Sequence, residues 1–423
     1  MNTLRQKIEQ EIRERGPIPF SRYMELCLYD PQLGYYSRNA QQFGKAGDFY
    51  TSSDVHAVFG RLMARQFEEM WRALGSPEEL SLIELGPGRG LFAQDVLDWS
   101  ERKFPDFFRA LHYVLVETSP ALRHRIAETL GHHLESGKAE LPALPLLEIG
   151  ERSGSTPAAK RRQNPANCAR RGPGGFRDQA PEGRQKGLSM EALASGSPAI
   201  VFANEFFDAL PCEVLSPQGA LRIDAHDGRF LETWAPPSPE ELEFLDRYSV
   251  HPEPGERVEV PLIAQQSMDR IAASLDRGFI IAVDYGYTRE EQLAGRHRGT
   301  VKALRQHSVS ASPYEAPGEQ DITADVNFTA LAAAAEKHGM QTQKLRTQSQ
   351  FLMGIGETNQ FADAFEECRL PQERAKVALQ LKHLVTPAGM GESFHVLVAS
   401  KGVEQNQAAA LAGLSFGTKQ TRG

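Results

Sequence analysis

The stretch Glu84-Leu85-Gly86-Pro87-Gly88-Arg89-Gly90 constrains this 423-residue chain more than any other. It follows the apolar run 80–85 without a gap. An acidic residue and three glycines at alternate positions close a buried strand and open a helix near Leu91. Backbone passes close to a ligand at such a turn, and only residues without a Cβ allow that approach. The spacing departs from the dinucleotide fingerprint G-x-G-x-x-G, because the third glycine comes one residue early.

A second apolar run, 111–116, ends at Glu117. Ser119-Pro120 then starts another helix, with Ser119 as its cap and Pro120 in its first turn. Strand, glycine turn, helix, strand, acid, helix is the first half of a doubly wound parallel sheet. Runs 199–203, 279–283 and 394–399 supply further strands, the last added late to the sheet. The stripe Phe59, Leu62, Met63, Phe67, Met70 and Trp71 has helical spacing and reads as core. Residues 1–30 read as helices broken at Gly16-Pro17. Alternation between 213 and 234, with Asp227-Gly228 inside it, predicts a hairpin outside the main sheet. The expected division is an N-terminal helical region over 1–75 and an α/β core over 76–150, 188–211 and 278–402. A β-rich accessory insert occupies 212–277, a basic insertion 151–187, and a flexible tail 403–423.

The net charge of −8 is unevenly spread. Residues 151–187 carry +6, so the remainder carries −14. An acidic body argues against nucleic-acid binding and is compatible with a basic acceptor, such as an arginine or lysine of another protein. The 151–187 segment has no Val, Leu or Ile and one aromatic, Phe176, so it cannot bury enough surface to offset its ordering entropy; disorder is expected there. Its abrupt composition also fits a local reading-frame error. Cys27, Cys168, Cys212 and Cys368 are too far apart in sequence for a C-x-x-C pair, and no metal is expected. No apolar run is long enough to span a bilayer, and the first residues lack a signal-type core, so a cytoplasmic location without membrane insertion is expected.

Three glycines in this spacing fit S-adenosyl-L-methionine (SAM) rather than a nicotinamide cofactor. Gly86, Gly88 and Gly90 would cradle its amino-acid part, and Glu84 would position the turn or the ligand's ammonium. Glu117 is placed to accept hydrogen bonds from the ribose hydroxyls. A second constellation is Asn204-Glu205-Phe206-Phe207-Asp208-Ala209-Leu210-Pro211. It follows a buried strand directly, so Asn204, Glu205 and Asp208 fall at the carboxyl edge of the sheet, where open α/β sheets bind ligands. Carboxylates there could align a guanidinium through paired hydrogen bonds and take its proton. The competing structural reading is that Asn204 and Asp208 cap a following helix.

Further blocks are Leu28-Tyr29-Asp30-Pro31 with Gly34-Tyr35-Tyr36, Gly47-Asp48-Phe49-Tyr50-Thr51-Ser52, and Phe59-Gly60. Asp284-Tyr285-Gly286, Arg298-Gly299-Thr300, Asp321-Ile322-Thr323 and Val326-Asn327-Phe328 follow. With the 84–90 and 204–211 blocks, in this order over about residues 16–400, the chain resembles the MidA family of SAM-dependent methyltransferases. The resemblance implies a class I methyltransferase fold, Rossmann-like with a mostly parallel sheet, and SAM as methyl donor. It implies that mitochondrial relatives methylate an arginine nitrogen of a respiratory complex I subunit, so a protein substrate is expected. It also implies that Asp48 and Thr51 approach the cofactor, and that Asn204, Glu205 and Asp208 approach the reaction centre. Asp54, Lys302, Asp325 and Asn327 depart from the Glu, Arg, His and Asp expected of the family. A methyltransferase for a small molecule or another side chain, and a non-catalytic SAM-binding assembly factor, are the alternatives.

Overall fold

The computed structural model describes residues 3–38, 57–142, 196–305, 308–310 and 312–417. Asp48, Thr51, Asp54 and the basic insertion 151–187 lie outside the described residues. The core is built on strands whose apolar side chains alternate between two faces. They are β1 (Leu80–Leu85), β2 (Leu111–Val116), β3 (Ala139–Glu140), β4 (Ala199–Asn204), β5 (Gly278–Tyr287) and β6 (Phe394–Lys401). The order β6-β5-β4-β1-β2-β3 is parallel throughout except for β6, which runs antiparallel to β5 over eight residue pairs. This is the expected mostly parallel, Rossmann-like sheet.

Leu80, Leu82, Tyr113, Phe202 and Ile281 point to one face, under the helices Ala57–Ala73, Leu91–Lys103 and Gln348–Glu357. Ile83, Val114, Val201 and Ile280 point to the other, under Leu262–Ser274 and Phe328–Glu336. Period-two alternation covered on both sides is what makes the sheet a central layer. Phe202 stacks on Phe92 at 4.6 Å between ring centroids and meets Phe67 edge-on at 5.5 Å. Burying such a ring stabilises by about 1.5–3 kcal/mol, so this trio clamps both helices to β4.

Three expected boundaries need correction. The helix Leu262–Ser274 buries Met268 and Ile271 against the main sheet, so the core resumes before residue 278. The N-terminal region is not a separate helical layer. After the break at Gly16-Pro17, Ile18–Pro19 pairs antiparallel with the strand Gly219–His226. Leu4, Ile8, Phe20 and Tyr23 share one core with Leu221 and Ile223, and with Ala303 and Ile322 from the segment beyond β5. The two helices Leu4–Arg15 and Phe20–Tyr29 each carry an apolar stripe that must be covered, and the five-stranded accessory sheet covers it. The tail is docked through Leu414: Ala408, Leu411 and Leu414 are buried, and the N–H of Gly413 donates to Gln66 Oε1 at 2.9 Å. The hairpin is present, with Gly219–His226 and Arg229–Ala235 joined through Asp227 and Gly228, both at positive φ.

Candidate functional site

Parallel register brings two distant stretches together. Leu85 of β1 pairs with Ala203 of β4, so both strands end at the same edge and release the 86–90 turn and the 204–208 segment side by side. Gly86, Gly88 and Gly90 have φ of 64°, 55° and 77°, a region that disfavours side chains. A Cβ on Gly86 would lie 3.2 Å from Phe206 Cδ2, so the turn and the 204–208 segment are in contact. Gly90 is the N-cap of the helix Leu91–Lys103.

Glu84 lies on β1, is 5% exposed, and accepts a hydrogen bond from the Tyr113 hydroxyl at 2.8 Å. Burial pushes its carboxyl up to about 8; the hydrogen bond opposes this and the Glu117 charge adds to it. Glu117 follows β2 directly. Its Oε1 accepts from the Ser119 N–H at 2.7 Å, and burial pushes it up to about 7. Ser119 caps the helix Pro120–Thr129 as expected.

Asn204 ends β4, and its Nδ2 donates to Glu205 Oε1 at 3.2 Å. Glu205 has φ of 50°, unusual for a side-chain-bearing residue, and its N–H donates to Val283 O at 2.9 Å. Holding that conformation costs on the order of 1 kcal/mol. No helix follows: residues 207–210 form a turn that leads into the strand Glu213–Ser216, so the helix-capping reading of Asn204 and Asp208 fails. Asp284, on β5 just beyond its pairing with β4 and fully buried, holds this turn. Its Oδ2 accepts from the N–H groups of Phe207 at 3.1 Å and Asp208 at 3.3 Å. Burial and the neighbouring Asp208 and Glu205 charges raise the Asp284 carboxyl well above the usual range. Asp208 is 4% exposed, and its Oδ2 accepts from the Tyr285 hydroxyl. Among the described residues its Oδ1 has no hydrogen-bond partner. Burial pushes Asp208 up to about 6, against the Tyr285 hydrogen bond. A cleft beside Asp208, lined also by Phe207, Ala324 and Asp325, has room for on the order of one water molecule, too little for a side chain.

Glu84, Gly86, Gly88, Gly90 and Glu117 therefore sit along the same sheet edge as Asn204, Glu205 and Asp208. Asp284 and Tyr285 hold the 204–208 segment; their sequence signals were the end of an apolar run and the family resemblance of their block. Tyr29 and Tyr36 were not legible as neighbours of the site, yet Tyr29 donates to Ala209 O and Tyr36 to Asp321 Oδ1, each at 2.9 Å. Asp325 pairs with His297 and Lys302, while Asn327 caps the helix Phe328–Glu336. The glycine turn without side chains and the acceptor pair of Glu117 suit a ligand with an amino-acid end and a ribose, so the residues present fit SAM.

Residues 62–346 match the profile of a family described as "Putative S-adenosyl-L-methionine-dependent methyltransferase". The chain is 28% identical over 420 residues to the Drosophila melanogaster "Protein arginine methyltransferase NDUFAF7 homolog, mitochondrial", covering 95% of this chain and 85% of the fly protein. It is 29% identical over 412 residues to the Danio rerio protein arginine methyltransferase NDUFAF7, covering 92% and 84%. A crystal structure of a Burkholderia thailandensis protein bound to S-adenosyl-homocysteine superposes with a TM-score of 0.74 at 26% identity, covering 97% of this chain and 94% of that one.

Proposed function

This chain belongs to the MidA family of SAM-dependent methyltransferases, and from that premise we propose that it transfers the methyl group to an arginine nitrogen of a partner protein. The observation that carries the reading is the closeness of Gly86 to Phe206, which puts the glycine turn beside the carboxylates of the 204–208 segment at one sheet edge. The relatives named as protein arginine methyltransferases support the choice of acceptor.

The cofactor, when bound, supplies an electrophilic methyl group. In this reading Glu117 accepts from its ribose hydroxyls and the 86–90 backbone lies along its amino-acid end. Asp48 and Thr51 are assigned to the same side by family resemblance. Asn204, Glu205 and Asp208 face the acceptor. Burial raises the Asp208 carboxyl above its usual range, against the Tyr285 hydrogen bond. A guanidinium releases its proton only above about pH 12. A carboxyl raised by burial still titrates well below a guanidinium, so it does not deprotonate the acceptor beforehand. Their work is to align it through charge-assisted hydrogen bonds and to take the proton as the nitrogen is alkylated.

The test is incubation with methyl-labelled SAM and candidate proteins, followed by residue-level mass spectrometry. Label on arginine that is lost in E205Q and D208N is the expected result. Label confined to a small molecule or to another side chain would sink the arginine assignment while leaving the methyltransferase intact. Variants that lose turnover yet support cellular function unchanged would favour a scaffold role instead.

A further inference from the structure

Glu117 does not set its own direction. Its main-chain carbonyl is held by Arg123 Nη1 at 3.0 Å, and the same guanidinium nitrogen holds Pro142 O at 2.9 Å. Its carboxylate Oε1 is held by the N–H of Ser119 at 2.7 Å. The position of the Ser119 peptide therefore helps to decide where the acid points, together with the neighbouring Thr118 N–H.

That peptide is tied to the N-terminal region. Ser119 is 3% exposed, and its hydroxyl donates to Tyr36 O at 2.7 Å. The capping contact from Leu122 N is longer, at 3.4 Å. The serine could be only a cap, but a cap needs an acceptor oxygen and leaves the hydroxyl proton unassigned. Here that proton has its own short bond to a residue 83 positions earlier in sequence. Tyr36 is fixed in turn at its other end. Its hydroxyl donates to Asp321 Oδ1 at 2.9 Å, on the strand Asp321–Thr323. Its ring lies 5.4 Å from that of Tyr29, whose hydroxyl donates to Ala209 O in the turn after Asp208. The hydrogen-bond chain Asp321, Tyr36, Ser119, Glu117 thus runs from the strand Asp321–Thr323, which pairs with Lys302–Arg305 beyond β5, to the cofactor side of the sheet edge. Tyr29 branches from it to the acceptor rim.

We propose that Ser119 and Tyr36 are positioning residues for the Glu117 carboxylate, so that the N-terminal segment helps to set recognition of the cofactor's ribose. This rests on the reading that Glu117 binds the ribose hydroxyls. Calorimetry separates the two, with two probes: S-adenosyl-homocysteine and its analogue lacking both ribose hydroxyls. The unsubstituted protein binds the first more tightly, and E117Q loses most of that preference. S119A reduces the preference about fivefold, the weight of roughly one hydrogen bond. S119T, which keeps a hydroxyl and a cap, restores it. Y36F, which cuts the bond to Asp321, reduces it about twofold. Thermal unfolding of each variant reports on the fold separately.

If E117Q loses the preference and S119A keeps it in full, the positioning role is wrong and the ribose reading stands. If S119A weakens both probes equally, Ser119 is structural and the proposal is likewise overturned. If the unsubstituted protein does not distinguish the probes, the ribose reading falls and the proposal falls with it.

Discussion

The two walls of the cleft are built by opposite means. The cofactor wall is local: strand, glycine turn, helix, strand and acid follow one another within 80–117. Its unusual dihedral angles fall on glycines, where they cost little. The acceptor wall is assembled from afar. Its turn hangs on Asp284 and Tyr285, 76 and 77 residues later, and on Ala324, whose N–H donates to Asp208 O. Its strained residue is Glu205, which carries a side chain at φ of 50°. In the proposed reading, a wall of glycines serves the cofactor, and backbone strain held by long-range bonds aims the carboxylate.

The largest test of this contrast is pH. Glu84 at about 8, Glu117 at about 7 and Asp208 at about 6 all titrate higher in the folded chain than when unfolded. The folded state therefore binds more protons between roughly pH 4 and each of these values, and stability falls as pH rises. The loss continues to about pH 8 for the cofactor wall and ends near 6 for Asp208. The expected total is a few kcal/mol, read as urea midpoints at pH 5, 6.5 and 8.5. E84Q should flatten the curve from about pH 4.5 to 8, and D208N only below about pH 6. Identical slopes in both variants would erase the distinction.

Next in size is G86V. A β-branched residue at φ of 64° with its Cβ 3.2 Å from Phe206 should lower S-adenosyl-homocysteine affinity about 100-fold in calorimetry. G88A meets only open space, so strain alone should cost about fivefold. Equal losses would mean that contact with the rim contributes nothing.

D284A strands two buried N–H groups on the acceptor wall and should destabilise by about 2–3 kcal/mol. Turnover should collapse while S-adenosyl-homocysteine affinity stays within about twofold. A large loss of affinity would show that the walls are not separable.

The smallest effect is expected from E205G. Release of the strain offsets the added chain entropy, leaving stability within about 1 kcal/mol. Methylation should still fall at least about tenfold, because the carboxylate is gone. A thermal midpoint lowered by several degrees would show that Glu205 holds the fold rather than aims at a substrate.

The same asymmetry governs what could be read from the sequence. Glu84, Gly86, Gly88, Gly90 and Glu117 announce themselves because strand end, turn and acid are contiguous. Asn204, Glu205 and Asp208 were legible as a strand-end cluster. Their choice between capping a helix and facing a ligand was not, since it depends on Asp284 taking the N–H groups of Phe207 and Asp208. Tyr29 and Tyr36 lay in a block noted only by resemblance, and nothing in their spacing points toward Ala209 or Asp321. Gly286 has a similar lesson: a Cβ there would come within 2.1 Å of Val326 O, a clash visible only once the two strands pair.

By itself the sequence determined the layers, the parallel core and the cofactor turn, because apolar alternation and glycine placement act over a few neighbouring residues. Tertiary structure alone decided which carboxylates share a sheet edge, how Ser119 and Tyr36 meet Glu117, and that the N-terminal helices, the accessory sheet and the described part of the tail are packed parts of one protein. Those outcomes depend on burial and on hydrogen bonds between residues tens to hundreds of positions apart, and no local pattern encodes which distant group will take a given proton or cover a given face.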